Sequence, residues 1–461
     1  MLPTAHRNFM IAILWKLSAL VFVAALWTPS AHAVPSYSRQ TGLACSSCHY
    51  NPPELTPFGR KFKLEGYTLA TKPEVSEDKK DHNSPLHLLE AFPLSVVFDT
   101  SFTSTKSLQP TTQNGNFEFP QAVSLFLAGA WGDHVGSFVQ VTYDAQADHF
   151  SWDNTDIRAA ANTGHLFGKQ LTYGLTLNNN PTVEDLWNST PAWGFPFVST
   201  NVAPSPSAGA VINGGLAQDV AGLGGYAMWN DHIYFAGTLY RSEHIGGSQP
   251  NPGVDSSGNA FSFNIRGVAP YWRLAYQTSN ENNNFEIGTY GMHMKSTPGA
   301  VTGLEDGYTD WAADFQFDHT IPQWKNDVFS LRGTYIRENS SLIASTVGGA
   351  AGFPGHHLNT VQGEAEYHFG NRVSSTVGLF SITGTADPLL FAQAAVSGSA
   401  NGSPQSRGYI LNVAWWPQQN IGLTAQYTGY TRFNGGGTNY DAAGRNASGN
   451  NSIYLMARFV F

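Results

Sequence analysis

The sequence predicts an all-β fold: a transmembrane antiparallel β-barrel of about sixteen strands behind a small N-terminal segment. Three observations predict it. Polar and apolar residues alternate with period two along most of residues 92–461, the links between these runs alternate short and long, and a last strand ends on Phe461. Composition agrees: the 461 residues include 47 Gly and 13% aromatic side chains but only 12% charged ones, about half the charged fraction of an ordinary soluble domain. A formal net charge of −9 with no basic run excludes nucleic acid as a partner. Beyond the N-terminus no apolar run reaches the ~18 residues of a spanning helix. Any membrane crossing is therefore by a closed barrel.

The strand pattern is plain in three places. In Tyr308 to Asp318, Trp311, Ala313, Phe315 and Phe317 alternate with Asp310, Asp314, Gln316 and Asp318. In Ile421 to Phe433, Ile421, Leu423, Ala425, Tyr427 and Gly429 alternate with Thr424, Gln426, Thr428 and Arg432, and in Val361 to His368 the polar face holds Gln362, Glu364, Glu366 and His368. Such runs begin near residues 92, 121, 135, 154, 170, 217, 232, 265, 284, 307, 327, 358, 371, 406, 420 and 451. After even strands the links are turns such as Asn230-Asp231 and Phe369-Gly370-Asn371; after most odd strands they are long, as in Asn178 to Gln218, Glu243 to Phe263 and Asp387 to Gln405. Short periplasmic turns and long external loops give that asymmetry in outer-membrane barrels. The final strand sets Ile453, Leu455, Ala457, Phe459 and Phe461 on one face and resembles the C-terminal strand of bacterial outer-membrane proteins. A propeller repeat is absent.

Residues 1–33 read as a secretory signal peptide: Arg7 and Lys16, an apolar run from Leu17 to Trp27, and an Ala31-His32-Ala33 cleavage site before Val34. Residues 34–90 form a first section ending in a charged, linker-like stretch from Lys72 to Asn83, and residues 91–461 form the barrel. The loop Asn178 to Asn201 is too rich in aromatics for disorder; it either folds inward as a constriction or packs externally on its own side chains.

Both cysteines of the chain lie in Cys45-Ser46-Ser47-Cys48-His49, a C-x-x-C-H motif that reads as covalent c-type haem attachment. Two thiols three residues apart reach the two vinyl groups of one haem, and the following His49 reaches its iron as proximal ligand. A disulfide across so short a loop stabilises little, a zinc site lacks further ligands, and a redox pair lacks its βαβ setting. The other axial position is open between His82 and His87, in the stretch before the first strand, and Met228, Met292, Met294 and Met456.

The run from Pro35 through Arg39, Gln40, Thr41, Gly42, Cys45, Cys48 and His49, followed by Pro53 to Tyr67 with Phe58, Gly59, Arg60, Phe62 and Gly66, resembles the N-terminus of the fused cytochrome-porins. These are outer-membrane monohaem cytochromes of bacteria that oxidise extracellular ferrous iron, and the close match covers about 35 residues. The resemblance implies a bacterial outer-membrane location, lipid around the barrel, an extracellular electron donor and a periplasmic electron-transfer partner.

A haem segment of roughly 57 residues is too small to bury its cofactor alone, so it is expected on the periplasmic side or inside the lumen as a plug. There Arg60, Lys61 and Lys63 are expected to face acids such as Glu364 and Glu366, and the acidic lumen candidates Glu364, Glu366, Asp310 and Asp314 can attract a cation. Two functions compete: electron transfer through one covalent haem, and a solute-transport porin whose haem-bearing plug gates or senses. A peroxidase-like site has no marker.

Overall fold

The computed structural model describes residues 35–69, 74–75, 88–89, 92–110, 112–187, 198–216, 219–242, 265–298, 303–324 and 327–461. The expected signal peptide, His82, His87 and nearly all of the expected linker lie outside the described residues.

Sixteen antiparallel strands close into one barrel. They are β1 Leu94–Thr105, β2 Asn116–Ala130, β3 Val135–Asp144, β4 His149–Leu166, β5 Lys169–Asn178, β6 Val220–Trp229, β7 Ile233–Ser242 and β8 Ala269–Ser279. The second half is β9 Asn283–Ser296, β10 Asp306–Ile321, β11 Asp327–Leu342, β12 Gly355–Phe369, β13 Val373–Gly384, β14 Ser406–Gln418, β15 Ile421–Arg432 and β16 Ser452–Val460. Each strand pairs with its sequence neighbour, and β16 closes on β1 from Ser452↔Thr105 to Val460↔Val97. Strand number, class and closure are as the sequence predicts. The expected starts of β2 and β4 fall latest against the observed ones, and both strands carry register shifts, opposite Asp99–Ser101 and Val139–Val141. A bulge interrupts the two-residue period on which strand recognition depends.

The two faces separate by chemistry. Leu175, Leu177, Leu223, Phe235, Leu274, Ile287, Val377, Leu411, Val413 and Leu455 point outward and are exposed, the apolar band that lipid requires. Asp310, Asp314, Gln316, Asp318, Glu364, Glu366 and His368 are buried on the lumen side, as their alternation predicts. Turns such as 167–168, 370–372 and 419–420 mark one rim, and long connections such as 385–405 and 433–451 mark the other.

The lumen is filled from both rims. Residues 35–67 hydrogen-bond to β2 (Ala128), β3 (Ser137), β4 (Asp156) and β6 (Tyr226), and pair with β10 (Asp318) and β11 (Arg332). A segment that touches strands on opposite sides of a closed ring lies within it. The described parts of the loop after β5 also turn inward. Ile212 N donates to Asp310 on β10, Val211 N to Glu338 on β11, and Thr103 on β1 meets Thr200 at 2.6 Å. Of the two conformations open to this loop, the inward one is found; residues 188–197 lie outside the described residues.

Candidate functional site

The cysteine motif sits at the short-turn rim. Helix α1, Ser36–Thr41, ends at Gly42, whose φ of 74° is the left-handed turn that lets the chain double back. Ser36 Oγ and Gln40 Nε2 both donate to the Ala128 carbonyl, at 2.5 and 2.7 Å, and Tyr37 OH donates to Ser137 O at 2.6 Å. Cys45–Cys48 is a single helical turn, α2, so both thiols project from one small loop. Cys45 N donates to Gln419 Oε1 at 3.3 Å in the turn between β14 and β15.

Helix α3, Pro57–Leu64, braces the motif from behind. Thr56 caps it by accepting from Gly59 N, while its hydroxyl donates to Ser47 O and its backbone N to Cys48 O. Gly59 is required by this approach: a Cβ there would stand 2.3 Å from the Cys48 carbonyl oxygen. Tyr37 packs edge-on to Phe62 at 4.9 Å and stacks on Tyr67 at 5.6 Å, giving the segment a small aromatic core.

His49 leaves α2 in an extended conformation, and its Nδ1 donates to the Glu54 carbonyl at 3.2 Å. That contact fixes the tautomer with Nε2 unprotonated and available as a ligand. Burial holds the imidazole down to about 4 and pushes the Cys48 thiol up to about 11. Cys45, Cys48 and His49 border one cavity of about 610 Å3, whose walls include Leu43, Leu55, Phe62, Phe126, Phe138 and Val460. Its size is that of sites for cofactor-sized ligands, and a mostly apolar wall with two thiols and one oriented imidazole at its edge fits a covalently held haem. Among the described residues, none of Met228, Met292, Met294 and Met456 lines it. Met228, Met292 and Met294 instead pack in apolar clusters within the lumen.

The expected cation contacts hold for Arg60, which meets a lumen acid, and are corrected for Lys61 and Lys63 and for the acids named. Lys61 is exposed beside Glu65, Arg60 lies 3.6 Å from Asp318, and Lys63 Nζ donates to the Asp185 carbonyl at 2.7 Å, so none of the three pairs with Glu364 or Glu366. On α3 the buried face takes Arg60 and Lys63 toward β10 and the inward loop, and Lys61 falls on the opposite side. The acid Glu54 approaches that wall instead. It pairs with Arg332, which also holds Glu364 at 3.2 Å, and its other oxygen lies 3.6 Å from His368 Nε2. Sequence reasoning missed Glu54 and Arg332, and it placed His368 on the polar face without assigning it a role. Only the alternation in Val361 to His368 signalled that the acids face inward.

No family model matches the chain, and no curated protein matches it either. Several solved barrels are similar in structure. The outer-membrane channel DcaP of Acinetobacter baumannii is 12% identical with a TM-score of 0.45, covering 80% of this chain and 96% of that one. An anion-selective porin from Comamonas acidovorans is 10% identical with a TM-score of 0.45, covering 80% and 98%. OmpF of Salmonella typhi is 11% identical with a TM-score of 0.44, covering 80% and 97%.

Proposed function

We propose that this chain is a bacterial outer-membrane monohaem cytochrome whose haem segment plugs a porin-like barrel and passes electrons between an extracellular donor and a periplasmic acceptor. The observation that carries it is the cavity bordered by both thiols of the C-x-x-C-H motif and by an imidazole whose Nε2 is left free. Haem bound there supplies a one-electron couple tuned by its axial ligand and its burial. Cys45 and Cys48 hold the group covalently, and His49 is oriented by the Glu54 carbonyl. The largely apolar cavity wall would shield the group from water, and Asn371, Gln418 and Gln419 line the same cavity at the short-turn rim, where a periplasmic partner would dock. Ferrous iron as donor comes from the resemblance to the cytochrome-porins.

A solute-transport porin with a gating or sensing plug is the second reading, and the sixteen-strand barrel itself favours it. Against it, Leu64 of the segment and Leu186 and Trp187 of the inward loop are buried together in one cluster with barrel-wall side chains of β6 to β8, which fills the lumen beside those strands. Two measurements decide. Purified protein should carry one haem that survives acid-acetone extraction, and C45A/C48A should carry none. In planar bilayers the haem-loaded protein should conduct far less than an open porin; a protein with no covalent haem and a large steady conductance is the transport porin instead.

A further inference from the structure

We propose that Glu54, Glu366 and His368 form a site for one first-row divalent metal ion inside the barrel, where the N-terminal segment meets β12. A ligand atom from each of the three lies within 4.8 Å of the other two, and all three residues are at least 98% buried. His368 Nε2 stands 3.6 Å from Glu54 Oε2 and 3.8 Å from Glu366 Oε2, too far for hydrogen bonds. Both oxygens of Glu366 and the Nε2 of His368 are buried without a hydrogen-bond partner, a costly state for polar atoms that nothing satisfies. An ion ~2.1 Å from each donor in a four-coordinate site sets them ~3.4 Å apart, so binding asks a contraction of a few tenths of an ångström around His368 and of at most ~1.4 Å between the two carboxylates.

Surrounding charge points the same way. Arg332 engages Glu54 Oε1 and Glu364, leaving Glu54 Oε2 toward His368, and Arg60 neighbours Asp318. The carboxyl groups of Glu54, Glu364, Glu366 and Asp318 outnumber these two guanidiniums, so the surroundings favour a bound cation. Two carboxylate oxygens with one imidazole suit manganese, ferrous iron or zinc rather than calcium or copper(I). Because the carbonyl of the same Glu54 accepts from His49 Nδ1, occupancy is transmitted by one residue to the proximal histidine. The metal site itself does not depend on haem being present.

The test uses full-length, detergent-solubilised protein incubated with Mn2+, desalted, and read by manganese EPR and elemental analysis. Wild type should retain about one Mn2+ per chain, and E366Q and H368Q should each weaken retention at least ~10-fold, a loss that even indirect partners of a metal produce. E338Q, in contact with the inward loop on β11, should bind as wild type. Heat-modifiable migration confirms that each variant is folded, and a pyridine haemochrome assay on the same samples reads haem separately. Failure of folded wild type to retain Mn2+, or unchanged retention in folded E366Q and H368Q, overturns the site. Retention by protein lacking covalent haem supports the site while refuting the electron-transfer reading.

Discussion

The two ends of the lumen are closed by different means. At the short-turn end the N-terminal segment docks largely through polar contacts: Ser36 and Gln40 on Ala128, Tyr67 OH on Asp156 at 2.7 Å, Glu54 on Arg332. At the long-loop end the inward loop docks through an apolar cluster holding Ala210, Val211, Ile212 and Leu216 against Tyr271, Tyr290 and Met292. Among the described residues, the carboxylates of Asp310 and Glu338 accept from its backbone there, and Gln109 and Gln121 donate to the Val202 and Ser199 carbonyls. An apolar filling is non-directional and tolerates small shifts. A polar filling fixes register, because each displaced partner is left buried and unsatisfied. The end that must position two thiols and an imidazole is the polar one.

Arg273 ties Asp185 and Trp187 of the inward loop to the wall, and its removal should have the largest effect. It is 1% exposed and lies 3.3 Å from Asp185 of the inward loop, 3.0 Å from Glu286 and 2.7 Å from Asp314. Arg273→Met keeps much of the volume and strands three buried carboxylates, at a cost of about 3–5 kcal/mol. The expected outcome is a lower temperature of heat modification on gels, with faster proteolysis of the loop after β5. E338Q, at the apolar end, should barely move either. Equal effects from the two variants would break the contrast between the ends.

Gly59→Ala sharpens the comparison within the polar end. Its methyl would meet backbone, the Cys48 carbonyl, rather than a side chain able to turn away, so α3 must back off from the cysteine motif, at about 1–3 kcal/mol. Haem per folded barrel, measured by pyridine haemochrome, should fall, and barrel formation should not. Normal haem loading in G59A would mean that α3 does not brace the motif.

Strands and motif were legible because both are local signals. Asp310, Asp314, Gln316 and Asp318 announce a lumen face by spacing alone, and Cys45, Cys48 and His49 are nearly adjacent. The contacts that assemble the site join residues far apart in sequence: Glu54 with Arg332 and His368, Lys63 with Asp185, Tyr67 with Asp156. No periodicity encodes which lumen residue a plug will meet. Charge complementarity alone favoured Arg60, Lys61 and Lys63 against Glu364 and Glu366, but helix phase turned Lys61 to solvent, and Glu54, which precedes α3, reaches that wall, where Arg332 supplies the counter-charge.

The last predicted effect is a pH dependence at the joint between the segment and the inward loop. Lys63 donates to the Asp185 carbonyl from a position 4% exposed. Burial, with nearby Arg158, holds its ammonium down to about 7 from 10.5, against the opposing pull of Asp156, Asp185 and Glu184. Between those two values the released segment would carry the lysine proton and the docked one would not. Proton uptake on release means that docking strengthens as pH rises through this window, by at most ~1.4 kcal/mol per pH unit. Below about 7 both states are charged, and the burial penalty is present in full. Hydrogen exchange of Pro57–Leu64, corrected for the intrinsic rate at each pH, should therefore show protection rising from pH 7 to 9 in wild type. Lys63→Met keeps an apolar stem and has no proton to exchange, so its profile should be flat. A flat wild-type profile, or an equal slope in the variant, would place the lysine's charge in water and remove it from the joint.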